Sequence, residues 1–168
     1  DLAGELIAKS QVHITPYFSR EPGWAEQDCD YFWANLCHAT RELWRAHPDL
    51  RPRVAAMAVT TQRAVVVLLG ADREPLRPAI IWLDQRRTAR HRPLPLWLEV
   101  GLRIARQRRT VHFVQSKAEC NWLAADEPEI WKRTRHFLFL SGWFNLKLTG
   151  RICDSVGSQV GYVPFDAK

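Results

Sequence analysis

The chain is short of methionine, of long apolar runs and of paired cysteines, and each shortage closes off a class of protein. Its single Met is Met57 and its first residue is Asp1, so Asp1 is expected not to be a translation start. No apolar run approaches the roughly 20 residues that a bilayer-spanning helix needs. Residues 1–10 mix Asp1, Glu5 and Lys9 with apolar positions, which is not the pattern of a secretory leader. The four cysteines, Cys29, Cys37, Cys120 and Cys153, make no C-x-x-C pair and have no His at zinc-finger spacing. Cys29 and Cys37 stand eight apart on a stretch of helical periodicity, too far for a local disulfide. All four read as reduced thiols of a cytoplasmic protein. The patterns G-x-x-x-x-G-K-[ST], G-x-S-x-G and H-E-x-x-H are missing and the six His are scattered, so no nucleophile constellation and no metal site is expected.

What is there is ordinary globular material. Hydrophobic residues make up 46% and charged residues 25%, a composition that packs a core. Eight Trp point to a dense interior or an aromatic-lined site. The net charge of +6 comes from 19 Arg, eight of them between Arg86 and Arg109. Two readings of that stretch stand open. It is a solvated basic face, or it contacts an anionic partner such as nucleic acid, with Trp82 and Trp97 as stacking surfaces.

Periodicity orders the chain. Residues 5–14, partly alternating, read as a strand, and residues 15–27 as a loop broken by Pro16, Pro22 and Gly23. Residues 28–47 read as a helix: Asp28 can cap it, Phe32, Trp33, Leu36, Cys37, Thr40, Leu43 and Trp44 recur at three and four, and Pro48 ends it. Val54–Val59, Ala64–Leu69 and Ala79–Trp82 read as strands, the first two without alternation and so covered on both faces. Helices are expected over Leu96–Gln107, Lys117–Ala125 and Pro128–His136, then a short strand at Phe137–Leu140 and a last helix that Ser141 could cap and that ends before Gly150. The sum is α/β, a sheet with helices on its faces.

Two strand ends carry candidate chemistry. Thr60-Thr61-Gln62-Arg63 joins two buried runs. Gln62 offers a donor and an acceptor, and Arg63 a fork of donors, which suits a polyhydroxylated ligand. Trp82-Leu83-Asp84-Gln85-Arg86-Arg87 follows the third run. Trp82 can cover the C–H face of a sugar, Asp84 can accept from hydroxyls, and Arg86 can hold Asp84 or bind the ligand itself. Ser155–Gly161 is rich in Gly and Ser but matches no phosphate-loop pattern.

These pieces resemble the FGGY carbohydrate kinases. Gly23-Trp24-Ala25-Glu26-Gln27-Asp28 resembles the family's GWxEQ(D/N) segment, and Val59–Arg63 its sugar-binding turn. Pro78–Thr88 resembles PAIxWxDxRxx, while Glu127–Trp131, Phe137-Leu138 and Leu148-Thr149-Gly150 resemble the NEPEI…FL…LTG run. The resemblance implies an RNase H-like, actin-like ATPase domain with an incomplete mixed sheet and flanking helices. It implies ATP-dependent phosphorylation of a sugar or polyol hydroxyl, with Gln62, Arg63, Trp82, Asp84 and Arg86 on the substrate side. Residues 1–168 would then be part of the family's N-terminal domain, lacking its first strand hairpin and its D-x-G-T loop. The catalytic Asp and the nucleotide domain would lie outside this chain, so ATP and Mg2+ would be bound mainly elsewhere and the segment alone is expected to be inactive.

Two departures mark a divergent subgroup. Ala64 stands where glycerol kinases carry Glu after the turn's Arg, and Glu119 stands where the family places Lys before Trp122. No nucleic-acid and no membrane partner is expected from the kinase reading. An open sheet edge is expected to need cover, from further chain or from a second copy in a homodimer. A non-catalytic remnant that binds a sugar or a partner remains the alternative.

Overall fold

The computed structural model describes residues 3–90 and 93–159. Its longest element is α1, Cys29–Ala46. The Asp28 carboxylate accepts the Asp30 N–H at 3.0 Å, satisfying one of the donors that a helix start leaves bare. Pro48 opens a 3-10 turn, Pro48–Arg53; without an N–H it cannot extend the helix. Phe32, Trp33 and Leu36 pack on the core, as their spacing predicts.

Four short strands form one sheet: β1 Glu26–Gln27, β2 Val66–Leu69, β3 Ala79–Ile80 and β4 His136–Phe139. They lie in the order β1-β3-β2-β4, and every pairing among them is antiparallel. Val65 to Leu69 are all buried, and alternate residues serve opposite faces. Val65, Val67 and Leu69 pack with Leu138 against α1 and against α6, Leu140–Thr149. Val66 and Leu68 pack with Ile80 against Trp122 and Leu123 of α4, Glu119–Asp126, with Ile130 and Trp131 of α5, Pro128–Arg133, at the margin. Helices on both faces explain why the run shows no polar alternation. Two further helices, α2 at Leu96–Ile104 and α3 at Arg108–Lys117, form a hairpin. Gly150 ends α6 at φ 71°, a backbone that glycine adopts without penalty.

Several expectations are corrected. Residues 5–14 and Val54–Val59 are irregular and mostly exposed, and neither pairs as a strand among the described residues. Apolar side chains do not make a strand without a neighbour to complete the hydrogen-bond ladder. The helix expected over Leu96–Gln107 stops at Ile104, and α3 was not anticipated. Ser141 does not cap α6; it lies inside the helix and donates its hydroxyl to Asp154 Oδ1 at 2.7 Å. Of the Ser155–Gly161 loop, Val156–Gln159 forms a 3-10 turn, while Val160 and Gly161 lie outside the described residues.

Candidate functional site

Antiparallel pairing of β2 with β3 sets Val66 opposite Ile80. The residues that enter β2 therefore lie beside those that leave β3, and the two motifs meet at one end of these inner strands. Thr60, Thr61 and Gln62 from one side, and Ile81, Trp82 and Leu83 from the other, line a cavity of about 500 Å3. Tyr31, Phe32 and Asn35 of α1, Leu140 and Phe144 of α6, and Ile14 and Pro16 complete its wall. An adjoining hollow of about 460 Å3 is lined by Gln62, Arg63, Ala64 and Trp82. Gln62, Arg63 and Trp82 are thus brought together. Trp82 is 54% exposed, with room for a ligand against its indole. Among the described residues no carboxylate lines either space. Ala64 takes a left-handed φ of 57°, a conformation costing an L-residue about 1–2 kcal/mol, and so turns the chain sharply between Arg63 and β2.

Asp84 and Arg86 do not line the cavity. Asp84 Oδ2 accepts the Ala25 N–H at 2.7 Å and the Arg86 Nη2–H at 2.7 Å. Its Oδ1 accepts the Arg86 Nε–H at 2.7 Å and the Arg86 backbone N–H at 2.9 Å. Arg86 Nη2 also donates to Glu26 Oε1 at 2.9 Å, and Glu26 is wholly buried. Arg77 pairs with Glu26 and donates to Glu127 Oε2 at 2.8 Å. The Arg86 guanidinium lies 4.0 Å from the Trp24 ring and 4.5 Å from the Trp122 ring, where cation–π attraction offsets part of the lost hydration. Burial lowers the Arg77 pKa from its ordinary value, with Glu127 and Glu26 opposing that shift.

This network has a mechanical output. Asp84 N–H donates to Ile81 O at 2.9 Å, closing a tight turn with Trp82 and Leu83 at its tip. Ile81 N–H and Gln85 N–H donate to Ala25 O and Gly23 O, at 3.0 and 2.8 Å. Asp84 and Arg86 therefore pin the turn that carries Trp82. Glu26, Arg77, Trp24 and Trp122 were missed as members of this network, although Trp24 and Glu26 stand in the Gly23–Asp28 motif itself.

The described residues do not fit a magnesium–nucleotide site. Among them no three His, Cys, Asp or Glu side chains converge to hold a metal ion. The Gly157 N–H is donated to Ser155 Oγ at 3.1 Å and the Ser158 hydroxyl to Ser155 O at 2.6 Å, so that turn spends these donors on itself.

Comparison with known proteins assigns the domain to a family of carbohydrate kinases. The chain matches the model of the FGGY family of carbohydrate kinases, N-terminal domain, over residues 1–161, and it belongs to that family. It is 29% identical over 150 residues to the erythritol kinase of Brucella abortus, covering 89% of this chain and 29% of that protein. It is 27% identical over 164 residues to the xylulose kinase of Escherichia coli, covering 97% of this chain and 33% of that one. Among solved structures, xylulose kinase from Rhodospirillum rubrum superposes with a TM-score of 0.61 at 26% identity, over 80% of this chain and 28% of that one. The fold is accordingly the actin-like ATPase α/β class of these kinases. The chain spans about a third of the length of the relatives it matches.

Proposed function

We propose that this chain is the sugar-holding part of an ATP-dependent kinase that transfers the γ-phosphoryl group of ATP to a hydroxyl of a sugar or polyol. The observation that supports it best is the cavity where Gln62 and Trp82 converge, with Arg63 in the adjoining hollow. In this reading Trp82 covers the C–H face of the substrate, Gln62 exchanges hydrogen bonds with its hydroxyls, and Arg63 donates to its oxygens. Asp84 and Arg86 act one step back, by fixing Trp82. No catalytic group is assigned within the chain; the base, ATP and Mg2+ belong to other parts of the kinase, so the chain alone would not turn over. Phosphoryl transfer depends mostly on positioning and charge stabilisation, and this segment supplies positioning. Ala64 weighs against glycerol. Four free cysteines suit the cytoplasm.

The test is ADP release by the full-length protein with Mg-ATP across pentoses, ketoses, polyols and aldonates. Selective turnover on one of them, reduced about ten- to a hundredfold in kcat/KM by Arg63→Ala or Trp82→Ala, is the expected result. A flat panel from a folded protein would favour the non-catalytic remnant.

A further inference from the structure

Helix α2 carries its apolar side chains outward. Leu96 is 81% exposed, Trp97 74%, Val100 50% and Ile104 79%, and their spacing sets them on one stripe. Leu98 and Leu102, on the opposite side, are half-buried. Cations stand on α2, at the corner after it and at the start of α3. Arg103, Arg106 and Arg109 are exposed and make no ion pair among the described residues. The one acid between residues 93 and 117 is Glu99, which is engaged with Arg108 and His112 at 2.8 and 2.7 Å.

The corner after α2 adds an independent observation. Gln107 N–H donates to Leu102 O at 2.9 Å and Arg106 N–H to Arg103 O at 3.2 Å, the double bond pattern of a helix end that favours glycine in the left-handed position. Arg106 occupies that position at φ 57°. Strain retained where glycine would relieve it points to a use for the side chain.

We propose that α2 and this corner dock on an anionic lipid bilayer. Helix α2 lies in the headgroup plane, its stripe enters the acyl boundary, and Arg103, Arg106 and Arg109 meet the lipid phosphates. A second copy of the chain would set arginine against arginine. A nucleic acid would gain nothing from Leu96, Val100 and Ile104, which offer no ring to stack on. A protein would need a shaped acidic groove to take four protruding side chains, whereas a fluid apolar medium needs none. No membrane partner was expected and no apolar run is long enough to span a bilayer; adsorption asks only for a short amphipathic helix with basic residues beside it. This inference is independent of the kinase reading.

The experiment is co-flotation of the full-length protein with phosphatidylcholine vesicles, with and without phosphatidylserine. Partition is expected only with phosphatidylserine, and it should weaken as salt rises. Leu96→Glu combined with Ile104→Glu should abolish it. Arg106→Gly should weaken it about fivefold, the worth of one basic residue near an anionic surface, while raising Tm, so that misfolding cannot explain the loss. The proposal is overturned by a folded protein that stays off anionic vesicles at low salt, or by partition indifferent to the paired Glu substitutions. A lipid-free dimer or a complex with an acidic protein, broken by those same substitutions, would give the stripe to that partner instead.

Discussion

Replacing Arg86 with Met should remove a large fraction of the domain's stability, and the size can be worked from the contacts. The guanidinium makes three bonds to carboxylates, at 2.7, 2.7 and 2.9 Å, and is 8% exposed. Each bond of this kind is worth about 1.5–3 kcal/mol, so the gross loss is substantial. Part is retained, because Asp84 keeps the Ala25 N–H and Glu26 keeps Arg77. The thioether of methionine recovers some of the contact with the two indoles. Breaking one side of a buried ion pair costs about 3–5 kcal/mol in comparable cases, and we expect Arg86→Met to fall there. Urea unfolding of wild type and variant measures it directly. Adding Asp84→Asn should cost less than the two single losses summed, with a coupling of about 1–3 kcal/mol. A loss for Arg86→Met within the roughly 0.5 kcal/mol typical of surface changes would show that the guanidinium is solvated, and the pinning of the turn would fall with it.

Trp82→Ala should show the opposite profile: a stability change below about 1 kcal/mol, since the indole is half exposed, with the loss confined to kcat/KM for the sugar. Burial pushes the Cys29 thiol up to about 12 from 9.0. The unfolded chain therefore loses this proton first, and unfolding free energy should fall between pH 9 and 12 by up to about 1.4 kcal/mol per pH unit. Denaturation curves of Cys29→Ala should lack that component. Gly150→Ala meets no atom within 4 Å, so its cost, about 1 kcal/mol from the left-handed backbone alone, should appear in Tm without a change in ligand binding.

Helix α1 was legible because cap, stripe and terminator agree at Asp28, Phe32 to Leu36 and Pro48. Strand β2 was legible because both its faces are covered, which leaves a plain apolar run. Residues 5–14 and Val54–Val59 misled for the complementary reason: their apolar character reports burial or pairing with something, but not that the partner is at hand. The candidate site divides along similar lines. Gln62, Arg63 and Trp82 were readable as strand-end residues. Arg86 was read as either holding Asp84 or binding the ligand, and it holds Asp84; the third member of the network was not readable from a local window. Glu26 is 60 positions from Arg86 in the chain, and only the folded sheet reveals that each answers the other.

The Trp143 indole N–H donates to Cys29 O at 3.1 Å across 114 positions of chain. That bond sets an order of events during synthesis. The cluster that holds α1 to the sheet takes Trp143, Phe144 and Leu146 as members, and β4 gives β2 its outer neighbour. Until those residues leave the ribosome, α1 and β2 have no finished interior to join. At about 5–20 residues per second, the 114 positions between Cys29 and Trp143 keep α1 waiting roughly 6 to 23 seconds with Trp33 uncovered. Holdase chaperones would therefore have their longest opportunity on the stretch from α1 to β2, and nascent chains arrested before Trp143 should be protease-sensitive where longer ones are not.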